Sequence, residues 1–117
     1  MKHVARCGLV ALALQFGVIP SAGAEVMTPS AAQFARLARC ESSGNPRSVS
    51  KSGRYHGLYQ FDQRTWNSVA RSAGRRDLVG VRPSRATATD QTVLARVLHG
   101  QRGWQPWPVC GRRVGRR

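Results

Sequence analysis

Cysteine placement limits this chain more than any other feature. Three cysteines occur in 117 residues, at Cys7, Cys40 and Cys110. Cys7 lies in a stretch that reads as an export leader, residues 1–24. Lys2 and Arg6 form a basic start, Gly8 to Val18 is apolar apart from Gln15, and Ala22-Gly23-Ala24 offers a small-residue cleavage site. The apolar run is short for a bilayer-crossing helix, so an uncleaved anchor is the weaker alternative. Cys7 precedes the run and is badly placed for lipid attachment. With the leader removed, Cys40 and Cys110 remain as an even pair in an oxidising compartment. Neither has the close C-x-x-C spacing or the neighbouring histidines of a metal site, so a disulfide is the better reading. It would close a loop of about 70 residues and contribute on the order of 4 kcal/mol in the chain-entropy picture. For a domain with so modest a core that is a large share of the total. The length leaves room for one domain, and the bond would tie its first helix to its last segment.

The formal charge is +14, and such a chain binds polyanions whether or not that is its task. Nucleic acid is one class, but an exported protein meets anionic cell-wall polymers and membranes first, and no specific nucleic-acid partner is expected. The run Arg112-Arg113-Val114-Gly115-Arg116-Arg117 reads as a disordered basic tail, an electrostatic tether or an idle solvated end.

Between leader and tail the signals are helical. Ser30 with Gln33 three residues later makes a capping box, and Phe34, Leu37 and Ala38 fall on one face. This first helix stops near Ser43-Gly44-Asn45-Pro46, with Gly44 suited to a left-handed cap, which puts Glu41 in the last turn. Ser48 to Phe61 reads as a short hairpin or irregular extended segment with a turn at Ser50 to Gly53. Asp62 caps a second helix, and Phe61 and Trp66 have the spacing of a hydrophobic staple. That helix buries Trp66, Val69, Ala70 and Ala73 and ends at Gly74. A basic loop spans residues 75–85. A third helix starts near Thr87 or Thr89, presents Val93, Leu94, Val97 and Leu98 to the core, and ends at Gly100. Residues 103–110 carry too much Pro and Gly for a helix.

Five carboxylates follow the leader: Glu25, Glu41, Asp62, Asp77 and Asp90. Any acid–base chemistry must draw on these. His56 and His99 lack metal-ligand spacing, and no metal or cofactor is expected. Glu41, at a helix C-terminus, faces the negative end of the macrodipole, which disfavours its ionised form. If Trp and Tyr rings also desolvate it, its pKa rises toward neutrality. A protonated carboxyl of that kind can deliver a proton to the leaving oxygen of a glycosidic bond. Composition alone favours a blander role, an exposed Glu paired with Arg.

Three blocks carry a resemblance that reverses that weighting. Ala38-Arg39-Cys40-Glu41-Ser42-Ser43-Gly44-Asn45, then Gln60-Phe61-Asp62-Gln63-Arg64-Thr65-Trp66, then Gly103-Trp104-Gln105-Pro106-Trp107-Pro108-Val109-Cys110 resemble, in order, the transglycosylase-like domain found in resuscitation-promoting factors. The match brackets residues 31–111, leaving a short lead at 25–30 and the tail at 112–117. It implies a mainly α (α+β), small, single-domain lysozyme-like fold with a glycan-binding cleft and a Cys40–Cys110 disulfide. It also implies a secreted or cell-wall-associated enzyme cutting the MurNAc-GlcNAc β-1,4 bond of peptidoglycan, with Glu41 as the catalytic acid. Substrate-binding positions carry over to Tyr55, Gln60, Asp62, Thr65 and Trp104. The family's Gln before the Gly-Trp pair is replaced by Arg102, so the corresponding role passes to Gln101 one position earlier.

Asp62 could be a second catalytic carboxylate, but a helix N-cap accounts for it without catalysis. A single acid suffices if muramic acid supplies its own nucleophile from its acetamido group or C6 hydroxyl, giving an anhydro product. Trp104, Trp107 and Tyr55 are candidates to stack on sugar rings, with at least one tryptophan belonging to the core. Expected partners are peptidoglycan strands, anionic wall polymers held by the basic surface, and a cell-wall endopeptidase. The competing reading is a wall-binding or resuscitation-signalling module of the same fold with little turnover.

Overall fold

The computed structural model describes residues 28–116, with Gly17 standing alone before them. The leader reading, the start of the 25–30 lead and Arg117 lie outside the described residues. Four α-helices follow one another: α1 (Ala31–Ser42), α2 (Gln63–Ser72), α3 (Ala88–Arg102) and α4 (Cys110–Gly115), with 3-10 turns at Arg76–Leu78 and Pro83–Arg85. Among the described residues β structure is limited to two isolated antiparallel bridges, Val49 with His56 and His56 with Phe61.

The caps form as their residue types dictate. Ser30 Oγ accepts the Gln33 N–H at 3.1 Å and Gln33 Oε1 accepts the Ser30 N–H at 2.9 Å, closing the capping box of α1. Asp62 Oδ1 accepts the Thr65 N–H at 2.7 Å at the start of α2, and Phe61 meets the Trp66 ring edge-on at 5.2 Å. Helix α1 leaves through the left-handed region at Ser43 (φ 56°) and Gly44 (φ 74°), so the turn expected at Gly44 begins one residue earlier.

The core lies where the helices meet. Phe34 and Leu37 of α1, Trp66, Val69 and Ala70 of α2, and Leu94, Ala95 and Leu98 of α3 are all buried. Trp66 donates its indole N–H to Leu78 O at 2.8 Å and Trp107 donates to Tyr59 O at 3.0 Å, so both burials leave no orphaned donor. The expected disulfide is present: Cys40 and Cys110 are bonded and clamp α4 against α1.

Two sequence expectations need correction. Helix α3 does not stop at Gly100; it runs to Arg102, and Gly103 is its cap. Its buried stripe is Gln91, Leu94, Ala95 and Leu98, spaced i, i+3, i+4 and i+7, which turns Val93 outward to 39 % exposure. The basic end of the chain is not a disordered tail as far as it is described. It forms α4 with Val114 buried, and a boundary at Gly111 would cut that helix after its second residue. The cause is Trp104. A Cβ on Gly111 would stand 2.6 Å from the Trp104 carbonyl oxygen, and one on Gly115 would stand 2.8 Å from its indole Cδ1. Two glycines one turn apart let the helix settle on Trp104, Gly111 against its carbonyl and Gly115 against its indole, a contact that outweighs their poor helix propensity.

Candidate active site

The segment between α1 and α2 is held to α3 by Gln91, which is fully buried. Its Oε1 accepts the Leu58 N–H at 2.7 Å, and its Nε2 donates to Ala86 O at 2.9 Å and Pro46 O at 3.1 Å. Gly57 (φ 84°) passes so close that any Cβ there would collide with the Gln91 carboxamide. The chain then doubles back through the paired bridge of His56 and Phe61, both bonds 2.9 Å. Gln60 closes this tight loop in the left-handed region (φ 53°), a strained state for a residue with a side chain, supported by its Nε2 donating to Gly57 O at 2.9 Å.

This loop forms one wall of a cleft. The Pro-rich segment after α3 and Glu41, from the last turn of α1, line the same cleft. One lobe of about 310 Å³ is lined by Glu41, Tyr55, Gln60, Trp107, Val109 and their neighbours. A second of about 330 Å³ shares Tyr55, Gln60 and Trp107 and continues past Asp62, Thr65 and Arg102. The two lobes are one cleft. Tyr55 (39 % exposed) and Val109 (61 % exposed) give its rim an apolar character.

Glu41 is half-buried, and burial raises its carboxyl pKa above the ordinary value. In a chain so rich in arginine the bland expectation is an ion pair. Yet the two ion pairs among the described residues both belong to Arg75, which joins Asp77 and Asp90 at 2.9 Å each. The cleft carboxyl is desolvated without a cation to hold it ionised. Asp62 is differently placed: its two oxygens accept the Thr65 N–H at 2.7 Å and the Thr65 hydroxyl at 3.0 Å. It lines the second lobe but not the first.

The remaining candidates divide. Tyr55, Gln60, Asp62 and Thr65 come together with Glu41 along the cleft. Trp104 does not. Its ring packs on His99 at 4.4 Å, Phe34 at 5.8 Å and Trp107 at 6.3 Å, joining α1, α3 and α4. Trp107, 3 % exposed, takes the cleft position instead and is also part of the core. Gln101 lines a separate shallow depression beside Thr65 and Ser68, while Arg102 enters the cleft. Neighbouring helical positions differ by about 100° in direction, so the shift from 101 to 102 decides which side chain reaches the site. His56 is buried, its Nδ1 3.4 Å from Ser84 Oγ, and His99 lies in the aromatic cluster, where burial lowers its pKa. Sequence reasoning missed Gln91 as the tether of the cleft wall; the only local signal was a glycine at position 57.

The model of the family described as transglycosylase-like domain matches residues 28–110. The chain is 42 % identical over 83 residues to the resuscitation-promoting factor RpfB of Mycolicibacterium smegmatis, covering 69 % of this chain and 21 % of that protein. It is 36 % identical over 113 residues to Rpf1 of Corynebacterium glutamicum, covering 92 % of this chain and 53 % of the relative. With Rpf of Micrococcus luteus the identity is 31 % over 80 residues, 68 % of this chain and 32 % of the relative. The chain thus spans from about a fifth to about half the length of these relatives.

Proposed function

The chain belongs to the transglycosylase-like domain family, and from that premise we propose that it is a muralytic enzyme acting outside the cell on peptidoglycan, with Glu41 as its general acid and base. The bond cut is the β-1,4 link between MurNAc and GlcNAc. The observation that carries this reading is the state of Glu41: a half-buried carboxyl in a cleft, its pKa raised, with no arginine among the described residues paired to it. Such a group keeps a proton available for the leaving oxygen.

A single carboxylate does the acid–base work. Glu41 delivers its proton to the glycosidic oxygen as the C1–O bond breaks. The muramyl C6 hydroxyl then attacks C1, its proton returns to Glu41, and a 1,6-anhydro end forms. Asp62 favours this over a two-carboxylate scheme, because its oxygens serve the first turn of α2 and it lines a different lobe from Glu41. Tyr55 and Val109 at the rim, with Trp107 below, provide the apolar surface against which sugar rings lie. Gln60 and Thr65 supply polar contacts, and Arg102 takes the role first given to Gln101.

Digestion of purified wall, followed by mass spectrometry of the released fragments, tests both parts. Glu41→Gln should abolish release while leaving wall binding intact, since the amide keeps shape but cannot donate the proton. Asp62→Asn should stay active, because Asn also caps helices. Anhydro ends are expected; reducing ends would mean hydrolysis. Full activity in Glu41→Gln would remove Glu41 from the chemistry, whereas no release by the parent protein would leave the wall-binding and signalling reading in possession of the fold.

A further inference from the structure

Beyond Asp62 and Thr65 the cleft opens into the largest depression described, about 550 Å³, which Arg54, Arg64 and Arg82 enter from three separate segments. Arg54 comes from the turn before Tyr55, Arg64 from the first turn of α2, and Arg82 from the residue before the second 3-10 turn. All three are exposed. Neither ion pair among the described residues involves them, since both are formed by Arg75. The one acid in the depression, Asp62, has its oxygens engaged by Thr65. Arg64 stands in the first turn of α2, where a cation opposes the helix dipole and the capping Asp62 is the acid that offsets it. Three forked cations around an open depression are suited to a planar carboxylate.

We propose that this depression is an anion subsite that takes the free carboxylates of the peptide substituents on the glycan strand lying in the cleft. The proposal rests on the reading of the cleft as a glycan site. The two are joined physically, because Asp62 and Thr65 line both the cleft and the depression. A strand seated beside Glu41 and running past Thr65 carries its substituents to the three arginines. The subsite makes the enzyme prefer peptide-bearing strands over bare ones without taking part in the chemistry.

The test measures equilibrium binding, so it does not depend on turnover. The Glu41→Gln protein is titrated with soluble glycan strands bearing their peptides and with the same strands stripped of peptides by an amidase, which leaves each muramic acid only the short lactyl carboxylate at its ring. Arg54→Gln, Arg64→Gln and Arg82→Gln are then combined in that background. A control of equal charge change carries Arg36→Gln, Arg71→Gln and Arg85→Gln, exposed positions that line none of the depressions described. Peptide-bearing strands should bind the subsite variant roughly fivefold more weakly or worse, as expected for three exposed charge contacts. Stripped strands should bind it unchanged, and the control should hold both substrates as the parent does. Equal weakening for both substrates, or equal weakening in variant and control, overturns the proposal in favour of diffuse charge attraction. Failure of the parent to bind either strand would instead overturn the reading of the cleft itself.

Discussion

Gln91 and Leu58 are joined by a 2.7 Å hydrogen bond in which a side chain of α3 accepts a backbone N–H from the cleft wall. The same carboxamide donates to Pro46 O and Ala86 O, so one side chain satisfies one buried and two part-buried backbone groups across 45 residues of sequence. Gln91→Leu keeps the volume but orphans all three. Each unsatisfied group costs about 1–3 kcal/mol, so the variant should lose on the order of 3 kcal/mol or more. Urea denaturation checks this, with the midpoint falling at an unchanged slope. A midpoint within error of the parent would show that water replaces the carboxamide.

Truncation after Gly111 removes Val114 and the helical cover of Trp104. It should lower stability by about 2 kcal/mol, the order expected for losing one buried aliphatic side chain and part of an aromatic contact, and should alter tryptophan emission. Gly115→Val should disturb the same contact without changing charge, because its branched side chain must push the Trp104 indole aside. If thermal melting of both variants matched the parent, α4 would be a passenger.

Replacing both Cys40 and Cys110 by Ala should cost about 2–5 kcal/mol, the usual range for a lone disulfide in a small domain. The bond joins α4 to α1, so its loss should loosen α4 first. Amide hydrogen exchange would show faster exchange at residues 110–115 before any change in α2. Uniform acceleration along the whole chain would contradict this order.

The raised pKa of Glu41 has a stability consequence of definite sign. Between the unfolded value, about 4.5, and the higher folded value, the native state holds more protons than the unfolded chain. Stability therefore falls as pH rises through that window. Glu41→Gln removes the penalty, so the inactive variant should melt higher than the parent at neutral pH, with the gap closing below about pH 4. A lower melting point for Glu41→Gln at pH 7 would mean that the carboxylate is stabilised by its surroundings.

Much of this architecture was legible locally. Ser30 with Gln33, Asp62 before Trp66, and the apolar spacing of α1 and α2 act over three or four residues, where backbone geometry leaves few choices. Two cysteines left after an expected leader could pair only with each other. The position of Glu41 was legible, because its place at a helix end follows from where α1 must stop, and the family was legible from three sequence blocks.

What the sequence determined by itself, then, were the caps and buried faces of α1 and α2, the disulfide and a short list of acids. The tertiary structure decided which side chains share the cleft. Trp104 and Trp107 are three residues apart and chemically identical, yet one joins the helices and the other faces the site, because the turns after Gly103 aim them differently. Arg102 displaces Gln101 through a single step around α3. Helix α4 forms although its two glycines oppose it, since only the assembled fold presents the Trp104 backbone and indole on which Gly111 and Gly115 respectively pack. The lack of an arginine partner at Glu41 among the described residues is of the same kind. Charge composition predicts a pair, and only the path of the chain carries Arg54, Arg64 and Arg82 to the far end of the cleft.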